Sequence, residues 1–248
     1  ALADNDTVAG QIDIGCFETV APLYLPRLIA GFRQRYPGVD IRLRDGEQQD
    51  LIQGLTAGTF DLAFLYDHDL DGTIEAEPLM PPQKPYVLLP EKHRFAGQSQ
   101  VSLRDLCPEP MILLDVAPSR TYFVSLFNEM GLTPNIVFSS PSIEMVRGMV
   151  GQGFGFSLLV TRPHSECTYD GKKVAVAQGA GNIVSGLLGG LPITSVNAET
   201  AEVAIYRIGD RSIATAVRNG LFQRVLDGYS AEEVADQAGE NAHAERAR

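Results

Sequence analysis

The hydrophobic pattern between residues 25 and 43 changes from a helical to a strand period within one short stretch. Apolar residues first recur at intervals of three and four, which places them on one face of a helix. These residues are Leu25, Leu28, Ile29, Phe32 and Tyr36. The Pro37-Gly38 pair predicts the end of this helix, and the alternation from Val39 to Leu43 predicts a strand. Because the apolar strand Gly10–Phe17 comes first, the order strand–helix–strand predicts a parallel sheet.

The same order of elements occurs twice along the chain. In the first half it continues with a helix at Asp50–Thr56 and strands at Phe60–Tyr66, Thr73–Leu79 and Tyr86–Leu89. In the second half the pattern predicts strands at Pro110–Leu114, Ile136–Phe138 and Phe154–Val160, with helices at Ser119–Met130 and Ser142–Val150. A strand at Val203–Ile208 and a helix at Ile213–Leu226 follow. Two α/β lobes in series are the simplest interpretation.

The composition narrows the class of protein. The 248 residues are 44% hydrophobic, which is enough for one large domain or two smaller lobes. The net charge of −11 opposes contact with phosphate backbones, so this chain by itself is not expected to bind nucleic acid. No apolar run is long enough to span a bilayer, so no membrane partner is expected. The three cysteines lack CxxC spacing, which favours a reducing compartment such as the cytoplasm over a disulfide framework.

No short motif in the sequence predicts catalysis, a cofactor or a metal site. The stretch GQGFGF (Gly151–Phe156) lacks GxGxxG spacing and follows a helix, which favours a helix end with tight strand packing over a dinucleotide loop. No two of the four histidines are three or four residues apart, and His164 with Cys167 would need further metal ligands. Patterns such as GxSxG, HExxH and the P-loop do not occur. We therefore expect neither enzyme activity nor a cofactor.

The predicted strand-to-helix junctions carry the candidate binding residues. Free N–H groups at the start of a helix, with hydroxyl groups beside them, bind carboxylates and other anions. The candidates are Glu18, Thr19, Glu47, Gln48, Pro118, Ser119, Arg120, Thr121 and Ser140. The alternative for each junction is plain N-capping, which Ser and Thr provide in many helices. Four such junctions in two matching lobes nevertheless suggest a cleft between the lobes, where Arg120 would supply a charge-assisted contact.

Residues 10–66 closely resemble the effector-binding domain of LysR-type transcriptional regulators. The pattern is GQIDIGCF followed by LPRLIAGFRQRYPGVDIRLRDGEQQDLIQGLTAGTFDLAFL. A second stretch, SSPSIEMVRGMVGQGFGFSLLV (Ser139–Val160), is similar to the helix, glycine turn and buried strand of the second lobe in that family. The resemblance implies an α/β fold like that of type 2 periplasmic binding proteins, with two Rossmann-like lobes, mixed sheets and two crossover strands.

The resemblance also implies how the chain is divided. Residues 1–9 would end a linker, residues 10–87 and 200–227 would form lobe I, and residues 88–199 would form lobe II. The crossover strands would lie near Tyr86–Leu89 and Val203–Ile208. The acidic residues 228–248 are predicted to form a flexible tail, since their composition does not support a core. The long glycine-rich segment Gln178–Gly190 has no predicted role.

The function implied by the resemblance is effector sensing. Family members bind a small effector, often an organic acid, between the lobes, and the candidate residues above fall at those positions. They act as homodimers or homotetramers and bind DNA through an N-terminal winged helix-turn-helix, a module that this chain lacks. Many relatives have Ser or Thr where this chain has Glu18, which argues against a simple carboxylate as the effector. The cysteines do not match the pair used by the peroxide sensors of the family, so redox sensing is not expected.

Two rival functions share the fold. A solute-binding protein of a transporter would differ in its upstream sequence, which would be a signal peptide instead of a DNA-binding module. An enzyme would place an acid, a base and a nucleophile together in the cleft, and the sequence predicts no such cluster. The Tyr36-Pro37 and Phe60–Ala63 patterns favour the regulator.

Overall fold

A computed structural model of the chain describes residues 9–66, 70, 74–78, 85–179 and 203–207. These residues form two units. One contains residues 9–78 and 203–207, and the other contains residues 85–179. The predictions for residues 1–8, 180–200 and 208–248 lie outside the described residues, as does His68.

The helices and strands of each unit alternate as the hydrophobic pattern predicts. In the first unit they are β1 (Ala9–Phe17), α1 (Ala21–Arg35), β2 (Gly38–Gly46), α2 (Gln48–Thr56), β3 (Leu62–Tyr66) and β4 (Glu75–Pro78). In the second unit they are β5 (Tyr86–Pro90), β6 (Gln100–Val101), α3 (Leu103–Leu106), β7 (Pro110–Leu114), α4 (Ser119–Asn128), β8 (Asn135–Ser140), α5 (Ile143–Gly151), β9 (Ser157–Leu159) and β10 (Val174–Gly179). The strand β11 (Val203–Arg207) then returns to the first unit.

The first sheet has the strand order β2-β1-β3-β11-β4. Strands β1, β2 and β3 are parallel, whereas β11 is antiparallel to both β3 and β4. The turn before β3 is fixed by a reciprocal pair of hydrogen bonds between two aspartates. The Asp13 N–H donates to Asp61 Oδ2 at 3.0 Å, and the Asp61 N–H donates to the Asp13 carbonyl oxygen at 2.8 Å. These bonds explain why an aspartate precedes the apolar residues of β3.

Helix α1 begins four residues earlier than the sequence predicts. It starts at Ala21, so Pro26 lies inside the helix instead of near its start. The apolar face extends by one turn because Ala21 is buried together with Leu25, Leu28 and Phe32. The end of the helix is as predicted: the Tyr36 N–H donates to the Phe32 carbonyl oxygen at 2.9 Å, immediately before Pro37.

The second unit contains a four-stranded sheet with the order β6-β10-β5-β9 and a parallel pair formed by β7 and β8. The predicted strand Phe154–Val160 is shorter in the structure, where β9 contains only Ser157–Leu159. Gly155 lies against the start of β7, and a Cβ atom there would be 2.2 Å from the Pro110 carbonyl oxygen. The stretch Gly151–Phe156 is therefore the end of α5 followed by close backbone packing.

The boundary between the units lies earlier than residues 87 and 88, where the sequence analysis placed it. Tyr86 and Val87 pair with Leu159 and Leu158, and β5 also pairs with β10. These ladder hydrogen bonds place the whole of β5 in the second unit. The other boundaries of the domain assignment stay predictions.

A buried arginine connects α5 to the segment that follows β9. Arg147 is 2% exposed, and its Nη2 donates to the carbonyl oxygens of Ser165 at 2.8 Å and Cys167 at 3.0 Å. Its Nε lies 2.9 Å from Glu144 Oε1 in an ion pair. Because these groups compensate for burying the charge, Arg147 is a structural residue of the second unit.

Two helical glycines, one in α2 and one in α5, provide a matched test of how closely these helices are packed. A Cβ atom on Gly54 of α2 would lie 2.3 Å from Phe60 Cε2, whereas one on Gly148 of α5 would meet nothing within 4 Å. Gly148→Ala should raise the free energy of unfolding by about 0.5–1 kcal/mol, because alanine favours a helix more than glycine does. Gly54→Ala should lower it by roughly 1 kcal/mol or more, because the clash with Phe60 outweighs that gain. Urea unfolding measures both, and a stabilised Gly54→Ala variant would contradict the described packing of Phe60.

Candidate functional site

The carboxyl ends of β1, β2 and β3 lie at one edge of the first sheet. Phe17 at the end of β1 is in register with Gly46 at the end of β2, and the Glu18 N–H donates to the Gly46 carbonyl oxygen at 3.3 Å. Residues that follow these strands therefore share this edge, which is where open α/β sheets bind ligands. Four of the candidate residues lie here: Glu18, Thr19, Glu47 and Gln48.

Thr19 is held by a tyrosine that the sequence analysis did not single out. Thr19 is 4% exposed, and its Oγ1 lies 3.2 Å from the hydroxyl oxygen of Tyr66, the last residue of β3. The Tyr66 ring also packs edge-to-face on Phe17, with 5.2 Å between the centroids. Knowing that β3 is parallel to β1 would have pointed to Tyr66, but the local sequence does not contain that pairing.

Glu18 lies in a negatively charged and partly dehydrated position. Burial raises the pKa of its carboxyl group, and the neighbouring carboxylates of Glu47 and Asp45 raise it further. Its Oε1 atom is buried and has no hydrogen-bond partner. The candidate Gln48 is also buried, at 5% exposure, as the first residue of α2.

Helix capping explains only some of the candidate junctions. Ser142 caps α5, with its Oγ accepting from the Met145 N–H at 3.3 Å. By contrast, α1, α2 and α4 begin after Val20, Glu47 and Pro118, and none of these three residues caps its helix through its side chain. Thr19 and Ser119 are the immediate neighbours of Val20 and Pro118, so both hydroxyl groups lie beside helix starts.

The second unit repeats this geometry at the carboxyl ends of β7 and β8. Leu114 and Ser140 are in register at the end of the parallel pair, and the Asp115 N–H donates to the Ser140 carbonyl oxygen at 2.9 Å. Helix α4 then starts with Ser119, which is 8% exposed and follows a cis bond between Ala117 and Pro118. Ser140, Pro118 and Ser119 therefore lie at the same end of this pair of strands.

The charged candidate in the second unit already has a partner. Arg120 Nη1 lies 2.9 Å from Asp115 Oδ1, and the arginine side chain is 61% exposed. An anion that binds at the start of α4 would therefore compete with Asp115 for Arg120, and such exposed pairs are weak. Thr121, the third residue of the helix, is exposed.

Ser140 has a structural hydrogen bond in addition to its place at the strand end. Its Oγ accepts from the Ser142 N–H at 3.2 Å, which shapes the turn into α5. A ligand would share this hydroxyl with the turn. Ser140 therefore has a local structural role as well as a place at the candidate site.

Reactive thiols, metal ligands and membrane-spanning helices are the other features of the described residues that would bear on function. Cys16, Cys107 and Cys167 are free thiols, and burial raises the pKa of the Cys16 thiol, with Asp45 adding to the effect. In the part of the chain that the structure describes, no three His, Cys, Asp or Glu side chains are grouped to hold a metal ion. None of the described helices has the length and apolar character needed to cross a bilayer.

Comparison with known proteins places these features in a family. A model described as the LysR substrate binding domain matches residues 5–179. The uncharacterized HTH-type transcriptional regulator YvbU of Bacillus subtilis is 30% identical over 160 residues, which are 64% of this chain and 53% of YvbU. The chain thus spans about half the length of the curated relatives it matches.

Solved structures of LysR-type regulators are also similar to this chain. The crystal structure of a putative LysR family transcriptional regulator from Pseudomonas aeruginosa is 68% identical, with a TM-score of 0.78 over 92% of this chain and 77% of that one. The effector-binding domain of QuiR, solved in complex with shikimate, has the same fold at 20% identity, with a TM-score of 0.68 over 91% of this chain and 99% of that one. The fold is therefore the periplasmic-binding-protein-like α/β fold of LysR effector-binding domains. Because the family model matches residues 5–179 of 248, this chain belongs to the LysR substrate-binding domain family.

Proposed function

We propose that this chain is the effector-sensing domain of a LysR-type transcription regulator and that a small metabolite binds between its two lobes. The main support is that Glu47 and Pro118, the residues before α2 and α4, make no side-chain cap at the carboxyl ends of the neighbouring strands. The first turn of a helix commonly binds polar groups of a ligand. The family resemblance assigns effector contacts to these same positions.

The nine candidate residues have different roles in this proposal. Ser119 and the first turn of α4 supply hydrogen-bond donors, and Arg120 adds charge once it leaves Asp115. Thr19 contributes its hydroxyl while Tyr66 holds it in place. The structure of the QuiR effector-binding domain with shikimate supports a small organic molecule, about as large as shikimate, as the effector. We infer binding without catalysis, because the relatives are transcription regulators and not enzymes.

Transmission to DNA depends on the geometry of the oligomer. We propose that a ligand which binds the closed lobes more tightly shifts the population toward them, and that lobe closure alters the geometry of a homodimer or homotetramer. The dimer then sets the spacing of winged helix-turn-helix modules on their half-sites. The curated relatives are about twice as long as the match, which leaves room for such a module. A regulator of this kind acts in the cytoplasm.

The oligomer follows from the side-by-side pairing implied by the family, in which α1 of one chain meets α5 of the other. Two observations fit an interface in the second unit: Met145 on α5 is 58% exposed, and β8 exposes Ile136, Val137 and Phe138. Exposed apolar side chains on one element are typical of a surface that another chain covers. The family match favours this regulator over a solute-binding protein with the same fold.

Ser119 and Ser142 separate effector binding from helix capping. A melting-shift screen with aromatic acids, dicarboxylates and amino acids identifies a binding compound. Ser119→Ala should weaken binding of that compound about tenfold, which is the effect of one lost hydrogen bond. The melting temperature of the unliganded chain should stay nearly unchanged. Ser142→Ala should cost about 1 kcal/mol of stability and leave affinity unchanged, because its hydroxyl caps α5. If Ser119→Ala lowered stability like Ser142→Ala and binding were unaffected, Ser119 would not be an effector contact.

Met145 tests the proposed dimer. Met145→Asp should shift the chain from dimer to monomer in sedimentation velocity, because a carboxylate would be buried in the interface. Tyr169→Asp is the matched control, since Tyr169 is 92% exposed and lies outside α5, on the turn beside the C-terminal end of that helix, and its replacement should leave the dimer intact. A wild-type chain that is monomeric at high micromolar concentration would rule out this dimer.

A further inference from the structure

The carboxyl edge of the first sheet concentrates negative charge beside the proposed effector contacts. Asp45 lies near the end of β2 and Glu47 immediately precedes α2, while Glu18 follows β1 and its N–H donates to the carbonyl oxygen of Gly46, between those two acids, at 3.3 Å. The charged groups that shift the pKa of Glu18 are both carboxylates, Glu47 and Asp45. A purely anionic ligand would be repelled here.

Glu18 itself lacks what a partly buried carboxylate requires. Its Oε1 is shielded from solvent and accepts no hydrogen bond, although each carboxylate oxygen can accept two. Leaving such an atom unsatisfied costs free energy in the unliganded chain. A donor that arrives with a ligand would satisfy this atom, and a positively charged donor would also relieve the repulsion among the three acids.

We propose that the effector carries a protonated nitrogen, such as an ammonium or guanidinium group, which donates a hydrogen bond to Glu18 while Glu47 and Asp45 add to the attraction. This inference rests on the proposed function, because it names the chemistry of one part of the same effector site.

The charge of Glu18 makes the attraction depend on pH. Binding of a cation favours the ionised carboxylate, so affinity for the cation should fall as the pH drops through the pKa of Glu18. That pKa lies above the ordinary glutamate value because of burial and the two neighbouring acids, Glu47 and Asp45. Loss of cation binding should therefore begin at a higher pH than an exposed glutamate would give.

Glu18→Gln is expected to fold and to be more stable at neutral pH. A carboxyl group with a raised pKa holds its proton more tightly in the folded chain, so its ionisation disfavours folding above that pKa. The variant removes this penalty and should melt at a slightly higher temperature at pH 7. The difference should shrink as the pH falls through the raised pKa and disappear below the ordinary pKa of glutamate, where the carboxyl group is protonated in both the folded and the unfolded state. Glu166→Gln, at an exposed position of the second unit, should show no such change.

The decisive experiment uses small ionic probes and NMR of the isotope-labelled 248-residue chain at constant ionic strength. Methylammonium and methylguanidinium represent the cation, acetate the anion, and acetamide the neutral control. The two cations should produce saturable shifts in the backbone N–H signals of Glu18, Thr19 and Gln48. Glu18→Gln should weaken this binding about tenfold, the effect of losing a charge-assisted hydrogen bond, whereas Glu166→Gln should not.

The other outcomes separate this inference from the proposed function. If acetate shifts the Glu18 signals and the cations do not, the inference is overturned and the effector site stands. The same conclusion follows if acetate shifts only Ser119 to Thr121 and no cation binds at Glu18. Equal cation shifts in wild type and Glu18→Gln would indicate a diffuse ion atmosphere and overturn the inference. If no probe of either charge binds at either set of residues, both the inference and the proposed function fail.

Discussion

The parallel pairing of β1 with β2 and β3 is the constraint on which the candidate site depends. A shift of one residue in that register would move every side chain of β1 to the opposite face of the sheet. The observed register places Phe17 opposite Gly46 and brings three strand ends to one edge. Buried apolar residues on β1, such as Ile12 and Ile14, fix it by filling the core. The polar residues at the edge therefore depend for their position on apolar residues several positions earlier.

The two candidate surfaces differ in how their charges are balanced. In the second unit, Asp115 neutralises Arg120, and the residues around the start of α4 offer hydroxyl and N–H groups. In the first unit, three carboxylates lie together, and one oxygen of Glu18 has no partner. Electrostatic complementarity governs selectivity more than affinity. If these surfaces bind an effector as proposed, its charge distribution matters as much as its size.

The sequence was most informative where local pattern determines structure. The apolar stripe and the Pro37-Gly38 pair predicted α1 and its end, and the family pattern predicted the fold class. The predicted start of α1 was wrong because Pro22 and Pro26 interrupt the apparent helical pattern, but Pro22 lies in the first turn, where proline is tolerated, and the helix continues through Pro26. The short strands β6 and β10 were not predicted, since their stability comes from pairing with distant strands. The same reason applies to the contact of Thr19 with Tyr66, which joins residues 47 positions apart.

The sequence alone also does not show which serine caps a helix. Ser119 and Ser142 both lie at predicted helix starts, but only Ser142 is an N-cap residue whose side chain accepts a hydrogen bond from the first turn.

The position of β11 between β3 and β4 has a consequence for biosynthesis. Within the described strands, β4 pairs only with β11, whose residues are made more than a hundred positions after those of β4. The second unit, residues 85–179, is continuous and is translated before residue 203. The nascent first unit therefore has β3 as an open edge during that interval, exposing unpaired backbone groups. Translation speed between residues 66 and 203 thus sets how long this edge is open to association with other nascent chains.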